Sequence, residues 1–100
     1  MSEELLEAVE AYKQAIRIDP DVPALHNNLG NAYGALGKYA EAVEAYKQAI
    51  RINPDYALAH YNLGLTYLSM NMHGEALDEY KILKKLDKEF AEKLFAKIYQ

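Results

Sequence analysis

The chain of 100 residues contains no cysteine, which excludes disulfides, thiolate metal sites and a cysteine nucleophile. It also lacks any run approaching the roughly 18 unbroken apolar residues that a membrane span requires. Its first residues, MSEELLEAVEAY, are acidic and amphipathic and do not resemble a signal peptide. We therefore expect no membrane partner and, by default, a cytoplasmic location, although none of these features defines the compartment. The formal charge of −4 argues against non-specific binding to nucleic acid.

One stretch, residues 23–56, recurs on both sides of itself at a fixed spacing of 34 residues. The twelve residues 7–18, EAVEAYKQAIRI, reappear unchanged at 41–52. Further pairs in the same register are His26/His60, Asn28/Asn62, Leu29/Leu63, Gly30/Gly64, Tyr33/Tyr67, Ala42/Ala76, Tyr46/Tyr80 and Pro20/Pro54. Agreement of so many positions on one period identifies a repeat protein.

This unit resembles the tetratricopeptide repeat (TPR), whose pattern W-x2-L-G-x2-Y, A-x3-F, P has the same period. The positions of the pattern are filled by His26, Leu29, Gly30, Tyr33, Ala42, Tyr46 and Pro54. The resemblance implies an all-α fold, a right-handed superhelical α-solenoid of antiparallel helix pairs, in a single domain over 1–100. Within it we expect the second helix of an incomplete repeat (1–22), two full repeats (23–56 and 57–90) and a C-terminal capping helix (88–100).

Apolar residues at helical spacing and the breaks between them predict six helices and no strand. Proline ends the first and third helices at Asp19-Pro20 and Asn53-Pro54, while Gly37 and Asn71 favour left-handed endings. The predicted helices cover 3–18, 22–37, 39–52, 56–70, 74–86 and 88–99. The expected N-caps are Ser2, Asp21, Asp55 and Asp87. The apolar side of the last helix is expected to hold Phe90, Leu94, Phe95 and Ile98.

Glycine recurs in the middle of two predicted helices, at Gly30 and Gly64, where it costs about 1 kcal/mol relative to alanine. A repeated cost of this kind suggests that two helices approach closely there. Ala42 and Ala76 are the expected opposing contacts.

No catalytic arrangement is found, and we predict that the protein is not an enzyme and binds no cofactor or metal. The recurring His26 and His60 have glycine at i+4, so the helical zinc spacing is absent, and both rings are interpreted as packing elements. The recurring tyrosines fall at framework positions, which favours core packing over the stacking of nucleic-acid bases.

The resemblance also implies a concave groove, lined by the first helix of each pair, that binds a peptide segment of a protein partner. Carrying the family positions over gives a groove of Asn27, Asn28, Asn31, Leu58, Tyr61, Asn62 and Leu65, together with Ala24, Ala35 and Ser69. The amides of Asn28 and Asn62 can each donate to and accept from a peptide group, or they only decorate a polar face. The clamp of basic residues that binds chaperone C-termini is missing, because its cationic positions hold Asn27, Glu92 and Ala96, so chaperone binding is not predicted.

The first helix has the sequence of a second-of-pair helix without a preceding partner. Part of its apolar surface is therefore expected to be open to solvent, unless the helix tilts and covers that surface. Its members are Leu5, Leu6, Val9 and Tyr12. The alternative function is therefore a self-assembling scaffold, a truncated or engineered segment that forms a homo-oligomer by stacking end to end.

Overall fold

The structure is a computed structural model that describes residues 2–100. These residues form six α-helices and no strand. The helices are α1 (Ser2–Ile18), α2 (Pro23–Ala35), α3 (Tyr39–Ile52), α4 (Ala57–Ser69), α5 (His73–Leu86) and α6 (Lys88–Ile98). The number and order of helices predicted from the sequence are confirmed, with ends that differ by one or two residues.

Three predicted helix boundaries are confirmed by local geometry. Gly37 follows α2 with φ of 78° and Asn71 follows α4 with φ of 60°, so both adopt the left-handed conformation that stops a helix. Asp87 caps α6, because its carboxylate accepts a hydrogen bond of 3.1 Å from the backbone N–H of Phe90.

The other three predicted caps are wrong. Val22 and Tyr56 occupy the N-cap positions of α2 and α4 without side-chain hydrogen bonds, so Asp21 and Asp55 lie one residue too early in the chain to cap them. Ser2 is itself the first residue assigned to α1.

The helices pack as antiparallel neighbours in sequence order. We call α2, α4 and α6 the first helices and α1, α3 and α5 the second helices. Neighbouring first helices contact each other, whereas no Cα atom of α1 comes within 8 Å of α3, nor any of α3 within 8 Å of α5. The row of pairs is therefore curved, and the side formed by the first helices is concave.

Most of the buried apolar side chains belong to one cluster that runs from α3 to α6 and includes Leu63, Leu83 and Leu94. A smaller cluster joins α1 to α2 and α3 through Val9, Leu29, Ala32 and Ala45. No pair of helices has a hydrophobic core of its own, because the buried side chains of each pair pack against those of the next pair.

The close approach predicted at the two helical glycines is confirmed, but its partners are not the predicted ones. A Cβ atom at Gly30 would lie 2.6 to 2.9 Å from three ring atoms of Tyr46. At Gly64 it would lie 2.7 Å from a methyl group of Leu94. Ala42 and Ala76 are fully buried, but neither is among the three atoms nearest to the added Cβ.

The charged side chains of the last helix, Lys88, Glu89, Glu92, Lys93 and Lys97, are all exposed. Its buried side consists of Ala91, Leu94 and Ile98, with Phe90 partly buried. Phe95 was predicted on that side, but 45% of its surface is exposed.

Candidate peptide-binding groove

Most of the predicted groove residues lie at the surface of α2 and α4 on the concave side. Asn28, Asn31, Leu58, Tyr61, Asn62 and Leu65 are exposed or partly exposed. Asn27 differs, because only 1% of its surface is accessible, and it lies at the contact between α2 and α4. Asn27 is therefore a structural residue of the groove floor.

Hydrogen bonds join the groove asparagines into a network. The side-chain nitrogen of Asn62 donates to the oxygen of Asn27 at 3.1 Å and to that of Asn31 at 3.3 Å. The hydroxyl of Tyr46 donates to the same Asn31 oxygen at 2.6 Å. The network joins the two repeats, and the side-chain oxygen of Asn62 still has room for a donor.

Tyr46 was interpreted only as a packing residue, and the structure adds a second role. Burial of its ring raises the pKa of Tyr46 to about 12, so the phenol stays protonated and donates to Asn31 at neutral pH. Sequence analysis missed this contribution to the groove, because the partner lies on another helix 15 residues away.

Asn28 is the groove amide that stays fully available. Within residues 2–100 its side chain makes no hydrogen bond or ion pair, and it is only partly buried. It can therefore use both its donors and its acceptor on a ligand.

An aromatic pair extends the groove toward α6. The rings of Tyr61 and Phe90 are stacked, with centroids 4.9 Å apart, and the ammonium group of Lys93 lies 5.8 Å from the centroid of Phe90. Phe90 was predicted only to lie on the apolar side of the last helix, so its contact with Tyr61 was not anticipated.

Each of the two recurring histidines forms a hydrogen bond to the backbone of the turn that precedes its helix. The Nε2 atom of His26 is 2.9 Å from the carbonyl oxygen of Pro20, and the Nε2 atom of His60 is 2.8 Å from that of Pro54. Both rings are nearly buried, as the packing interpretation required. Each also forms a polar contact across six residues that the packing interpretation did not include.

His60 has a second partner that His26 lacks. Its Nδ1 atom lies 2.7 Å from a carboxylate oxygen of Glu79, on α5. Burial lowers the pKa of His60, but the hydrogen bonds to Glu79 and Pro54 and the charge of Glu79 outweigh it, so that pKa is raised. Both ring nitrogens face acceptors, which favours the doubly protonated imidazolium.

The surface predicted for self-association is only partly open. Val9 belongs to the small core cluster and Tyr12 packs against it, whereas 49% of the surface of Leu6 is exposed and Leu5 is half-buried. Leu6 is therefore the main accessible apolar side chain among these four.

Two further features bear on the function classes considered. No group of three potential ligand side chains within residues 2–100 is arranged to hold a metal ion. None of the described helices combines the length and the apolar character needed to cross a bilayer.

Sequence profiles of repeat families match most of the chain. One described as "TPR repeat" matches residues 2–37 and 34–71, and one described as "Tetratricopeptide repeat" matches residues 57–90. No curated protein sequence matches the chain.

Solved structures of TPR domains superpose on nearly the whole chain. The first TPR domain of Spaghetti (RPAP3), bound to the HSP90 peptide SRMEEVD, is 27% identical with a TM-score of 0.89, and the match covers 98% of this chain and 79% of that one. The Sgt2 TPR domain from Aspergillus fumigatus is 28% identical with a TM-score of 0.83, over 97% and 70% of the two chains.

A bacterial protein gives a similar match over part of its length. TTC0263, a thermophilic TPR protein of Thermus thermophilus, is 27% identical with a TM-score of 0.86, over 96% of this chain and 50% of that one. The present chain thus spans half the length of this relative. With profile matches that together cover residues 2–90, the chain belongs to the tetratricopeptide repeat family.

Proposed function

We propose that the chain is a protein-interaction module that holds a peptide segment of a partner in its concave groove. The observation that carries this proposal is the pair of amide groups at Asn28 and Asn62, one on each first helix of the two full repeats. Both lie on the concave face with hydrogen-bonding capacity left over. An extended peptide presents donors and acceptors along its backbone, which such amides can satisfy.

The hydrogen-bond network supports this function by fixing the geometry before a ligand arrives. Asn62 is held by Asn27 and Asn31, and Asn31 is held in turn by Tyr46. A side chain that is already ordered loses less conformational entropy on binding, so more of the interaction energy remains as affinity.

The remaining groove surface favours an uncharged peptide with apolar side chains. Leu58, Leu65 and the stacked pair Tyr61 and Phe90 offer apolar and aromatic contacts. The HSP90 peptide held by the Spaghetti domain is acidic. The positions of a basic clamp hold other residues in this chain, among them the buried Asn27 and the acidic Glu92, so we do not expect that peptide to bind tightly.

The test begins with selection from a displayed library of random peptides, followed by calorimetric measurement of the best binder. Replacing both amides, in Asn28→Ala with Asn62→Ala, should weaken binding by about 10- to 100-fold, since each lost hydrogen bond contributes about 0.5–1.5 kcal/mol. Gln14→Ala, an exposed amide of α1, is the matched control and should leave the affinity unchanged. Affinity retained within twofold by a folded double variant would contradict the proposal.

A second candidate function is self-assembly end to end, which rests on exposed apolar side chains at both ends of the row of helices. Leu6 on α1 is 49% exposed and Phe95 on α6 is 45% exposed. Phe95 is in ring contact with Tyr80 and with the exposed Tyr99, at centroid distances of 5.3 and 4.7 Å. Apolar surfaces at opposite ends allow head-to-tail association, which does not close into a ring by itself.

A further inference from the structure

A cleft opens on the convex side of the molecule, between the second helices α1 and α3 and above α2. Its volume is about 640 Å³, within the range of ligand-binding pockets. Apolar side chains form most of its wall, namely Ile16, Leu29, Tyr33 and Ala45, and the ring of His26 is the buried polar group among them. The cleft lies on the opposite side of α2 from the asparagine groove, so it is a separate site.

In the second repeat, the position that corresponds to this cleft is filled by a side chain. At the repeat spacing of 34 residues, His26 corresponds to His60 and Ala45 corresponds to Glu79. There the carboxylate of Glu79 lies 2.7 Å from Nδ1 of His60, and its side chain is only 12% exposed. The methyl group of Ala45 leaves the corresponding space open in the first repeat.

His26 consequently has an unused ring nitrogen. The residue is 8% exposed, and its Nε2 atom is committed to the carbonyl oxygen of Pro20 at 2.9 Å. No residue of the described chain occupies Nδ1. With Nε2 as the donor to Pro20, Nδ1 carries a lone pair in the neutral ring and an N–H in the protonated ring.

We propose that this cleft binds a glutamate side chain of a partner polypeptide, whose carboxylate accepts a hydrogen bond from Nδ1–H of His26. The second repeat supplies the argument, because there a glutamate carboxylate fills this position beside the equivalent histidine. The two methylene groups of the ligand side chain lie against Leu29 and Tyr33.

Binding of a carboxylate in the cleft should depend on pH through His26, because the other charges around the cleft cancel. The charged groups that line it are Lys13 and Arg17 from α1 and Glu41 and Glu44 from α3, which balance one another. Because Nε2 already donates to Pro20, Nδ1 carries the N–H that a carboxylate needs only in the doubly protonated ring, so binding of a carboxylate takes up a proton at His26 and weakens as the pH rises.

The test compares two capped peptides, Ac-Gly-Glu-Gly-NH2 and Ac-Gly-Gln-Gly-NH2, by NMR titration of the full chain. At pH 6 the glutamate peptide should shift the His26 ring and the Ala45 methyl signals saturably. The glutamine peptide, which has the same shape without the charge, should bind at least tenfold more weakly. Raising the pH to 8 should weaken binding of the glutamate peptide. The His60 ring is the internal control and should not respond, because Glu79 already occupies its Nδ1.

Two variants complete the test. Ala45→Glu places a carboxylate beside His26 and should abolish binding. Gln48 also lines the cleft, and its counterpart in the second repeat is Ile82. The double variant Glu79→Ala with Ile82→Gln gives the second repeat the residues of the first at these two positions and should make the His60 ring respond, which keeps the test valid if Ala45→Glu does not fold.

Several results would overturn the inference. They are equal binding of the two peptides, binding that persists in folded Ala45→Glu, and His60 ring signals that do not shift with the glutamate peptide in the folded double variant. Butyrate carries the same carboxylate without a peptide. If butyrate saturates the site while the glutamate peptide is excluded, the occupant is a small molecule and the proposed polypeptide partner is wrong.

Discussion

The contact between Gly30 and Tyr46 can be tested by adding a single methyl group. In Gly30→Ala the new Cβ atom meets three atoms of the Tyr46 ring at 2.6 to 2.9 Å, which is closer than carbon atoms can approach. The ring is buried and its hydroxyl is bound to Asn31, so it cannot move aside without losing that hydrogen bond. Overpacking of this kind costs about 1–3 kcal/mol.

Gly34 in the same helix provides the matched control. A Cβ atom there meets nothing within 4 Å. Both substitutions gain the helix preference of alanine over glycine, about 1 kcal/mol, so the difference between the two variants isolates the steric contact. We expect Gly34→Ala to stabilise the protein and Gly30→Ala to be less stable than Gly34→Ala by about 1–3 kcal/mol.

Urea denaturation followed by circular dichroism measures this difference directly, and thermal melting should separate the variants by about 4–8 °C for each kcal/mol. Gly64→Ala should fall between the two, because the atom in its way is the end of a flexible leucine side chain, in Leu94. Equal stabilisation by Gly30→Ala and Gly34→Ala would refute the close contact and, with it, the packing reason for the repeated glycine.

Two other predictions concern the histidine pair and the end of the row. Since the pKa of His60 is raised in the folded state, its pairing stabilises the protein most below pH 6.5, the unfolded value, and this contribution is lost as the pH rises through the folded pKa. Glu79→Gln should therefore lower the melting temperature more at pH 6 than at pH 8.5, and an equal loss at both would contradict the charged pair. For end-to-end assembly, the sedimentation coefficient of the unmodified chain should rise from micromolar to millimolar concentration, and Leu6→Lys should suppress that rise. A chain that stays monomeric throughout would exclude this function.

Sequence periodicity was sufficient to predict the six helices, because apolar spacing and the proline breaks agree with one another along the chain. The wrong caps, Asp21 and Asp55, have a local cause. Each turn holds an aspartate and a proline close to the start of the helix, and periodicity does not report which residue directly precedes the first helical one. In the structure these residues are Val22 and Tyr56.

The groove was predicted less completely than the fold. Asn27 and Asn28 are adjacent in sequence but about 100° apart around the helix, so one is buried against α4 while the other faces the groove. The family positions include both and cannot separate these roles. The histidine contacts did leave a signal in the sequence, since a proline precedes His26 and His60 by six residues in each case.

The identical segments 7–18 and 41–52 fold into helices with different surroundings. The Cα atoms of α1 come within 8 Å of α2 alone among the described helices, whereas α3 has such neighbours in both α2 and α4. Amide hydrogens within identical sequences have nearly the same intrinsic exchange rates with solvent. Any difference in protection between the two copies therefore measures what a second neighbour adds to a helix, with amino-acid composition held constant. The chain thus carries its own internal reference for the cooperativity of repeat proteins.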